Sequence, residues 1–283
     1  MKSCEHLIAP ESDYFVHVPS IGARELFFYP LYIGHFIYEA GYCLQRDSYD
    51  SFLVMYIQKG QLSVTLPSAT TVAREGSFLL LDCYEPHAYH TETGCETLWC
   101  HFDGALARGW FQTITGQLGN VFRLADPYPA FSKLTTLYKQ FAESAPLREP
   151  LLSKYINDIL TAFLIYSPSN LRTPDRDGSM EETITYINEH FAEELPLEKL
   201  AAKASLSQYH FIRTFRKETG FTPHEYLVNI RINTAKYLLK NSMLSIKDIC
   251  FQTGFSCESV FCSAFKKRLG LTPLEYRHSG EPD

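Results

Sequence analysis

A stretch of about fifty residues occurs twice in the last hundred residues of this chain, and no other feature limits its fold as sharply. The first copy runs from Leu200 through Ala201, Ala202 and Ser205 to Leu206-Ser207. It continues with Phe211-Ile212-Arg213-Thr214-Phe215-Arg216-Lys217 and closes on Gly220-Phe221-Thr222-Pro223. The second runs from Ile249-Cys250 through Gly254-Phe255-Ser256. It continues with Phe261-Cys262-Ser263-Ala264-Phe265-Lys266-Lys267 and closes on Gly270-Leu271-Thr272-Pro273. The offset grows by one residue after the turn. Each copy has the pattern of a short helix, a tight turn and a second helix, the plan of a helix-turn-helix unit whose second helix is free to enter a major groove.

Seven helices are expected from residue 179 onward. Thr222-Glu225 and Thr272-Glu275 have the spacing of capping boxes with Pro at the first helical position. Ser179-Glu182 and Ser245-Asp248 have the same shape. Between the copies, residues 223–240 form one apolar-periodic run. As a helix it would span roughly 27 Å. Successive major-groove segments on one face of B-DNA repeat every ~34 Å. A rod of that order can hold both second helices on one face of a duplex.

The net charge of −6 argues against nucleic acid until it is divided along the chain. Residues 1–179 carry six more acids than bases, and residues 180–278 carry two more bases than acids. Bases also cluster locally, at Arg213, Arg216 and Lys217 and at Lys266, Lys267 and Arg268. Phosphate contact depends on such patches rather than on the mean. An apolar content of 45% with 20% charged residues fits globular domains. No apolar run is long enough to cross a bilayer and no export signal opens the chain, so a cytoplasmic protein is expected. The eight cysteines have no close CxxC spacing and are taken as reduced thiols.

The front of the chain has a different texture. From about residue 24 to 104 it reads as short strands. Phe52 to Ile57 is one, ending at Lys59-Gly60. Leu62, Val64 and Leu66 alternate in the next. Residues 77–81 form another after a Glu75-Gly76 turn, and 96–102 alternate again. Many short strands imply a sandwich or barrel. From about residue 131 the period becomes helical, with apolar positions from Leu152 to Leu164 at i, i+3, i+4 and i+7. That helix packs on its own barrel, or makes a dimer contact as well. Ser167 to Ser179 is rich in Pro, Ser, Gly and Asp, a linker composition. The expected architecture is multidomain, β plus all-α. A barrel with following helices occupies residues 1–167, a linker 168–179, a seven-helix domain 180–278 and a tail 279–283.

The segment Ile184 to Arg277 resembles the AraC-type DNA-binding domain. The match rests on Leu200-Ala201-Ala202, Leu206-Ser207, Arg213-x-Phe215-x-Lys217-x-x-Gly220-x-Thr222-Pro223, Arg231, Ala235 and Leu238-Leu239. It goes on through Ile246-x-x-Ile249, Gly254-Phe255 and Phe261-x-x-x-Phe265-Lys266-x-x-x-Gly270-x-Thr272-Pro273. The resemblance implies a first recognition helix over about Ser207 to Thr219, with Tyr209, Ile212 and Arg213 facing bases and Phe211 and Phe215 in the core. A guanidinium can pair bidentately with guanine, so Arg213 is the leading base reader, with a phosphate contact or a plain surface charge as the alternatives. Arg216 and Lys217 supply the nearby positive charge. The second recognition helix spans about Cys257 to Leu269 and presents Glu258, Ser259, Cys262 and Ser263. Family members often carry Arg where Ser263 stands, so this helix is the weaker base reader. It reads shape, or anchors through Lys266 and Lys267.

The strand-rich half resembles the cupin-like sensory barrel that often precedes such a domain. The matching residues are Tyr49 to Gly60, Glu75-Gly76-x-Phe78-x-Leu80, Pro86-His87-x-Tyr89 and Leu98-Trp99-x-His101-Phe102-x-Gly104. This implies a small-molecule effector, carbohydrate-like by family habit, a homodimer, double-stranded DNA as target, RNA polymerase as a further partner, and activation of transcription. Arg46 among Tyr42, Leu44 and Tyr49 suits a polyhydroxylated or anionic ligand, or is a surface charge. Trp99 and His101 share one strand face, either toward a pocket or into sheet packing. His87 fixes a loop or touches ligand. Tyr89 and His35 complete the ligand candidates.

A catalytic cupin would need a His-x-His pair that is absent before Gly60. No catalytic residue and no cofactor are therefore expected. Cys83, His87, His90, Cys95, Cys100 and His101 are zinc-type residues. They spread over three strands without loop spacing, and no metal site is assigned to them. The alternatives kept in view are a cupin enzyme or metal sensor fused to a DNA-binding module, and a barrel that senses a partner protein.

Overall fold

A computed structural model describes residues 5–168 and 180–279. The linker residues 169–179, the Ser179 cap and the tail after 279 lie outside the described residues. The chain divides into two compact units, Met1–Arg172 and Thr173–Asp283.

The first unit opens with β1 (Asp13–Val16), α1 (Ile21–Leu26), β2 (Tyr29–Tyr38) and β3 (Cys43–Arg46). There follow β4 (Phe52–Leu66), β5 (Ala69–Arg74), β6 (Phe78–Asp82), β7 (His87–His90) and β8 (Cys95–Asp103). Then come α2 (Ala107–Leu118), β9 (Val121–Phe122), α3 (Tyr128–Ala142) and α4 (Glu149–Ile165). The first half of β4 lies between β8 and β6, and its second half between β5 and β7. β2 joins the far side of β8, with β1 beyond it. All these pairings are antiparallel, and together they make the expected cupin-like barrel.

Three expectations fail in detail. A strand break was expected at Lys59-Gly60, but β4 runs through it. The register shifts between Ile57 and Lys59, and Gly60 takes φ +77°, so the strand bends from one sheet wall to the other. A Cβ on Gly60 would collide with the Gly94 carbonyl, which is why glycine stands there. The residues from 24 do not begin a strand, since α1 occupies them, capped by the Ser20 hydroxyl accepting from the Ala23 N–H. After the last long strand, helical structure begins at Ala107, well before 131.

Over β6, β8 and the first half of β4 both faces of the sheet are buried, so these segments read as nearly continuous apolar runs. On β4, β6 and β8 one set of alternating residues (Phe52, Val54, Phe78, Leu80, Cys100, Phe102) packs under α2, α3 and α4. The other set (Leu53, Met55, Leu79, Leu81, Trp99) fills the barrel interior. The apolar stripe of α4, with Leu152, Ile156, Ile159, Leu160 and Phe163 buried, packs on this barrel.

Among its described residues the second unit holds the seven expected helices. They are α5 (Met180–His190), α6 (Leu197–Lys203), α7 (Gln208–Thr219), α8 (Pro223–Asn241), α9 (Ile246–Gln252), α10 (Glu258–Leu269) and α11 (Pro273–His278). Thr222 and Thr272 form complete capping boxes with Glu225 and Glu275. The backbone N–H groups and then the hydroxyls of these threonines lower the pKa of both carboxyls. Ser245 caps the Asp248 N–H, without the reciprocal bond to its own backbone. α8 serves two cores. Leu227 belongs to the first, with Phe211 and Phe215. Ile232, Ala235 and Leu239 belong to the second, with Phe261 and Phe265.

Candidate functional sites

The barrel interior contains a cavity of about 250 Å³. Its walls follow from strand alternation. Trp99 and His101 on β8 point inward, while Leu98, Cys100 and Phe102 face the helices. Gly34 on β2 lies opposite Trp99 and Tyr32 opposite His101. A Cβ on Gly34 would meet the indole at 2.5 Å, so only glycine lets the Trp99 ring lie against that strand. Arg46 and Leu44 come from β3, Tyr89 from β7, and Tyr42 and Tyr49 from the flanking turns. The guanidinium carbon of Arg46 lies 4.6 Å from the Tyr49 ring centre.

Burial favours the neutral forms of His101, Tyr42, Tyr49 and Tyr89 in the cavity wall. His101 Nδ1 lies 2.8 Å from the Ser51 hydroxyl. Burial, and then the positive Arg46 and the neighbouring His87, lower the His101 pKa to about 3. Burial pushes the Tyr89 phenol up to about 12 and raises those of Tyr42 and Tyr49. Tyr42 donates to Glu5 at 3.0 Å. The indole Nε1 of Trp99 is buried and has no hydrogen-bond partner among the described residues.

Two sequence candidates stand apart from the cavity lining. His35 lies on the opposite face of β2, where its Nε2 is 3.0 Å from Glu96. Lys59 also reaches that carboxylate, at 2.8 Å. His87 is buried at the start of β7, its Nδ1 2.9 Å from the Glu85 carbonyl oxygen. Sequence reading missed Tyr32, Phe36 and Tyr38 as lining residues. Their period-2 spacing on one strand was the available signal. The cysteines also separate. Cys83 lies in the interior core and Cys100 in the helix-side core. Burial raises both thiols, Cys83 to about 12. Among the described residues, no three His, Cys, Asp or Glu converge as a metal site.

In the helical unit the repeat extends to packing. From Gln208 to Tyr226, burial class follows that from Glu258 to Tyr276 residue for residue. Phe211 and Phe215 stack edge to face at 5.4 Å, and Phe261 and Phe265 at 5.7 Å. Tyr226 closes the first core and Tyr276 the second, at 5.4 and 5.5 Å from the inner Phe. Gly220 and Gly270 end α7 and α10 in the left-handed region, at φ +79° and +76°. What the packing leaves outside is the other face of each helix. Tyr209, Arg213, Arg216 and Lys217 are exposed on α7, with Ile212 half-buried. Glu258, Ser259, Ser263, Lys266 and Lys267 are exposed on α10, with Cys262 half-buried.

A junction ties the two halves. Arg231 on α8 donates to the carbonyls of Phe191 and Glu193, both at 2.8 Å. Gly254, in the turn between α9 and α10, packs against Ala192 between those carbonyls. The shared helix and this clasp hold α7 and α10 in one body.

Residues 32–156 match the model of an AraC-like ligand binding domain, and residues 200–279 that of a helix-turn-helix domain. The chain belongs to the AraC-type regulators. This AraC-type chain is 26% identical over 263 residues to the MmsAB operon regulatory protein of Pseudomonas aeruginosa, covering 88% of the chain and 82% of that protein. It is 32% identical over 103 residues to the transcriptional activator RhaS of Klebsiella pneumoniae, covering 36% of the chain and only 37% of RhaS. The solved DNA-binding domain of AdpA, in complex with a target DNA, is 32% identical. It covers 35% of the chain and 90% of that domain, with a TM-score of 0.35. No described helix of this AraC-type chain is long and apolar enough to cross a membrane.

Proposed function

We propose that this AraC-type chain is a sequence-specific transcription regulator that binds double-stranded DNA through α7 and α10 and responds to a small polar effector in the barrel cavity. The observation that carries the reading is the matched burial of the two recognition helices. Identical packing leaves equivalent faces of both free, and both faces are basic toward their C-terminal ends. α8 has 19 residues, a rod of roughly 28 Å, close to the ~34 Å spacing of successive major grooves.

Tyr209, Ile212 and Arg213 read bases in this scheme, with Arg216 and Lys217 on phosphates. Glu258, Ser259, Cys262 and Ser263 face the second groove segment, anchored by Lys266 and Lys267. Residues 1–167 hold the effector and the homodimer contact, 168–179 link, and 180–278 bind DNA. The effector is carbohydrate-like and engages Arg46, Tyr89, Trp99 and His101. It shifts the population of arrangements open to the four recognition helices of a dimer. Activation in the cytoplasm, through contact with RNA polymerase, is the proposed outcome. The name of RhaS as a transcriptional activator and that of the MmsAB protein as an operon regulator support this direction. The proposed role of the cavity is sensing rather than turnover: the Ser51 hydroxyl beside His101 is fully buried and is not among the residues that line the space, so it is closed to a bound molecule.

The test is selection of binding sites from random duplexes by the full-length protein. Enriched sites should carry two motifs about one helical turn apart. Affinity should fall by orders of magnitude between roughly 50 and 200 mM salt. Binding with no enriched sequence would remove the claim of specificity.

A further inference from the structure

Among the described residues, Arg46 and Trp99 bring to the barrel cavity donors for which no protein acceptor is found. Arg46 presents a guanidinium, which has only N–H donors, and Trp99 an indole N–H, which also only donates. The indole nitrogen is buried with no protein acceptor, on a residue 7% exposed. None of the ion pairs among the described residues includes Arg46. Its contact is the face of Tyr49. Glu5 already accepts from Tyr42. A half-buried cation among aromatic rings, with no carboxylate within 4.0 Å among the described residues, is costly to keep and well suited to receive an anion. Tyr32, Tyr49 and Trp99 line the space with aromatic rings, which suit the apolar parts of a compact polyol, and about 250 Å³ admits a molecule of monosaccharide size.

We propose that the effector is an anion: a monosaccharide-sized polyol carrying a carboxylate or a phosphate, with its charged oxygens on Arg46 and a further acceptor on the Trp99 indole N–H. This rests on the reading of the cavity as the effector site and narrows its chemistry. A neutral sugar leaves Arg46 uncompensated. A carboxylate or phosphate takes the guanidinium fork in two parallel hydrogen bonds.

The experiment is calorimetric titration of the full-length protein with matched sets: glucose, glucuronate and glucose 6-phosphate, then galactose, galacturonate and galactose 1-phosphate. At least one charged member should bind about tenfold or more tighter than its neutral parent. Whether acid or phosphate binds identifies the source of the charge. Arg46→Gln should remove that preference, and Arg46→Lys should restore part of it, since it keeps the charge but loses the fork. Trp99→Phe, which keeps the ring bulk without the N–H, should weaken the charged ligand severalfold. Unfolding midpoints of the variants check that each is folded. A neutral sugar that binds as tightly as its acid, unchanged in Arg46→Gln, overturns the anion and leaves the effector reading intact. A charged ligand whose affinity is unchanged in Arg46→Gln overturns the assignment to Arg46. No binding by any member of either set overturns the anion and counts against the effector reading as well.

Discussion

Arg46 and Tyr49 are stacked, with the guanidinium carbon 4.6 Å from the ring centre, at the wall of the barrel cavity. Tyr49 in turn lies edge-on to His101 at 5.0 Å. A cation over a half-buried ring contributes about 0.5–1 kcal/mol or more as desolvation increases. A double-mutant cycle with Arg46→Gln and Tyr49→Leu, followed by denaturant unfolding, should therefore give a coupling of that size. Strict additivity would mean that the two side chains stand together without energetic consequence.

His101 gives the first unit a pH signature. Its folded pKa, about 3, lies below the ordinary value of 6.5. Above 6.5 the ring is neutral whether folded or not and adds no pH dependence. As pH falls below 6.5 the unfolded chain takes up a proton that the folded chain refuses, and stability declines until about pH 3. Between about pH 7 and pH 5 this amounts to about 2 kcal/mol. His101→Gln should flatten the unfolding profile over that window by this amount. An identical slope in variant and parent would show that the ring is protonated in place.

How far the sequence anticipated the structure differs between the two halves, for physical reasons. The helical half was legible because one signal was written twice: Phe211 and Phe215 recur as Phe261 and Phe265, and Thr222-Pro223 as Thr272-Pro273. Local caps and tertiary cores agree there. α2 escaped notice because only Ala107 and Ile114 are fully buried in it, and Gly109, Gly116 and its threonines weaken helix propensity. Gly60 reads as a strand end because glycine usually marks one. It bends a strand that the partner strands on either side keep paired. Arg46 and Trp99 were visible as candidates. Tyr32, Phe36 and Tyr38 were not, because their period-2 spacing groups them on one strand face without marking whether that face turns into the barrel or away from it. Only the pairing of Tyr32 with His101 and of Gly34 with Trp99 settles that.

The turn of the second helix-turn-helix unit offers a sharper test of packing. Gly254 has φ +82°, and a Cβ there would stand 2.6 Å from the Ala192 carbonyl oxygen and 2.8 Å from its Cα. Gly220 has a similar φ, +79°, with open space around it. Gly220→Ala should cost about 1 kcal/mol, the backbone penalty alone. Gly254→Ala should cost clearly more, since backbone atoms of the clasp must move. It should also weaken DNA binding beyond its effect on stability, by shifting α10 relative to α7. Equal costs for the two variants would mean that the Ala192 loop yields freely.

The two proposed recognition helices, α7 and α10, invite an exchange at one position. Arg213 and Ser263 are equivalent in the repeat, and both are exposed on helices of matching burial. If α7 reads a base through Arg213, then Arg213→Ala should cost about 1–3 kcal/mol at the selected site and relax preference at one base pair. Lys267→Ala should weaken all sequences about equally and lower the salt slope by about one. Ser263→Arg restores a guanidinium to the second helix. With Gln208 to Tyr226 and Glu258 to Tyr276 packed alike, the new side chain should emerge where Arg213 emerges on the first. Selection with Ser263→Arg should then enrich a guanine absent from the parent motif, about one helical turn from the one lost in Arg213→Ala. A tighter but equally unselective second half-site would place position 263 over phosphate. That would make the second unit an anchor whose specificity comes from DNA shape alone.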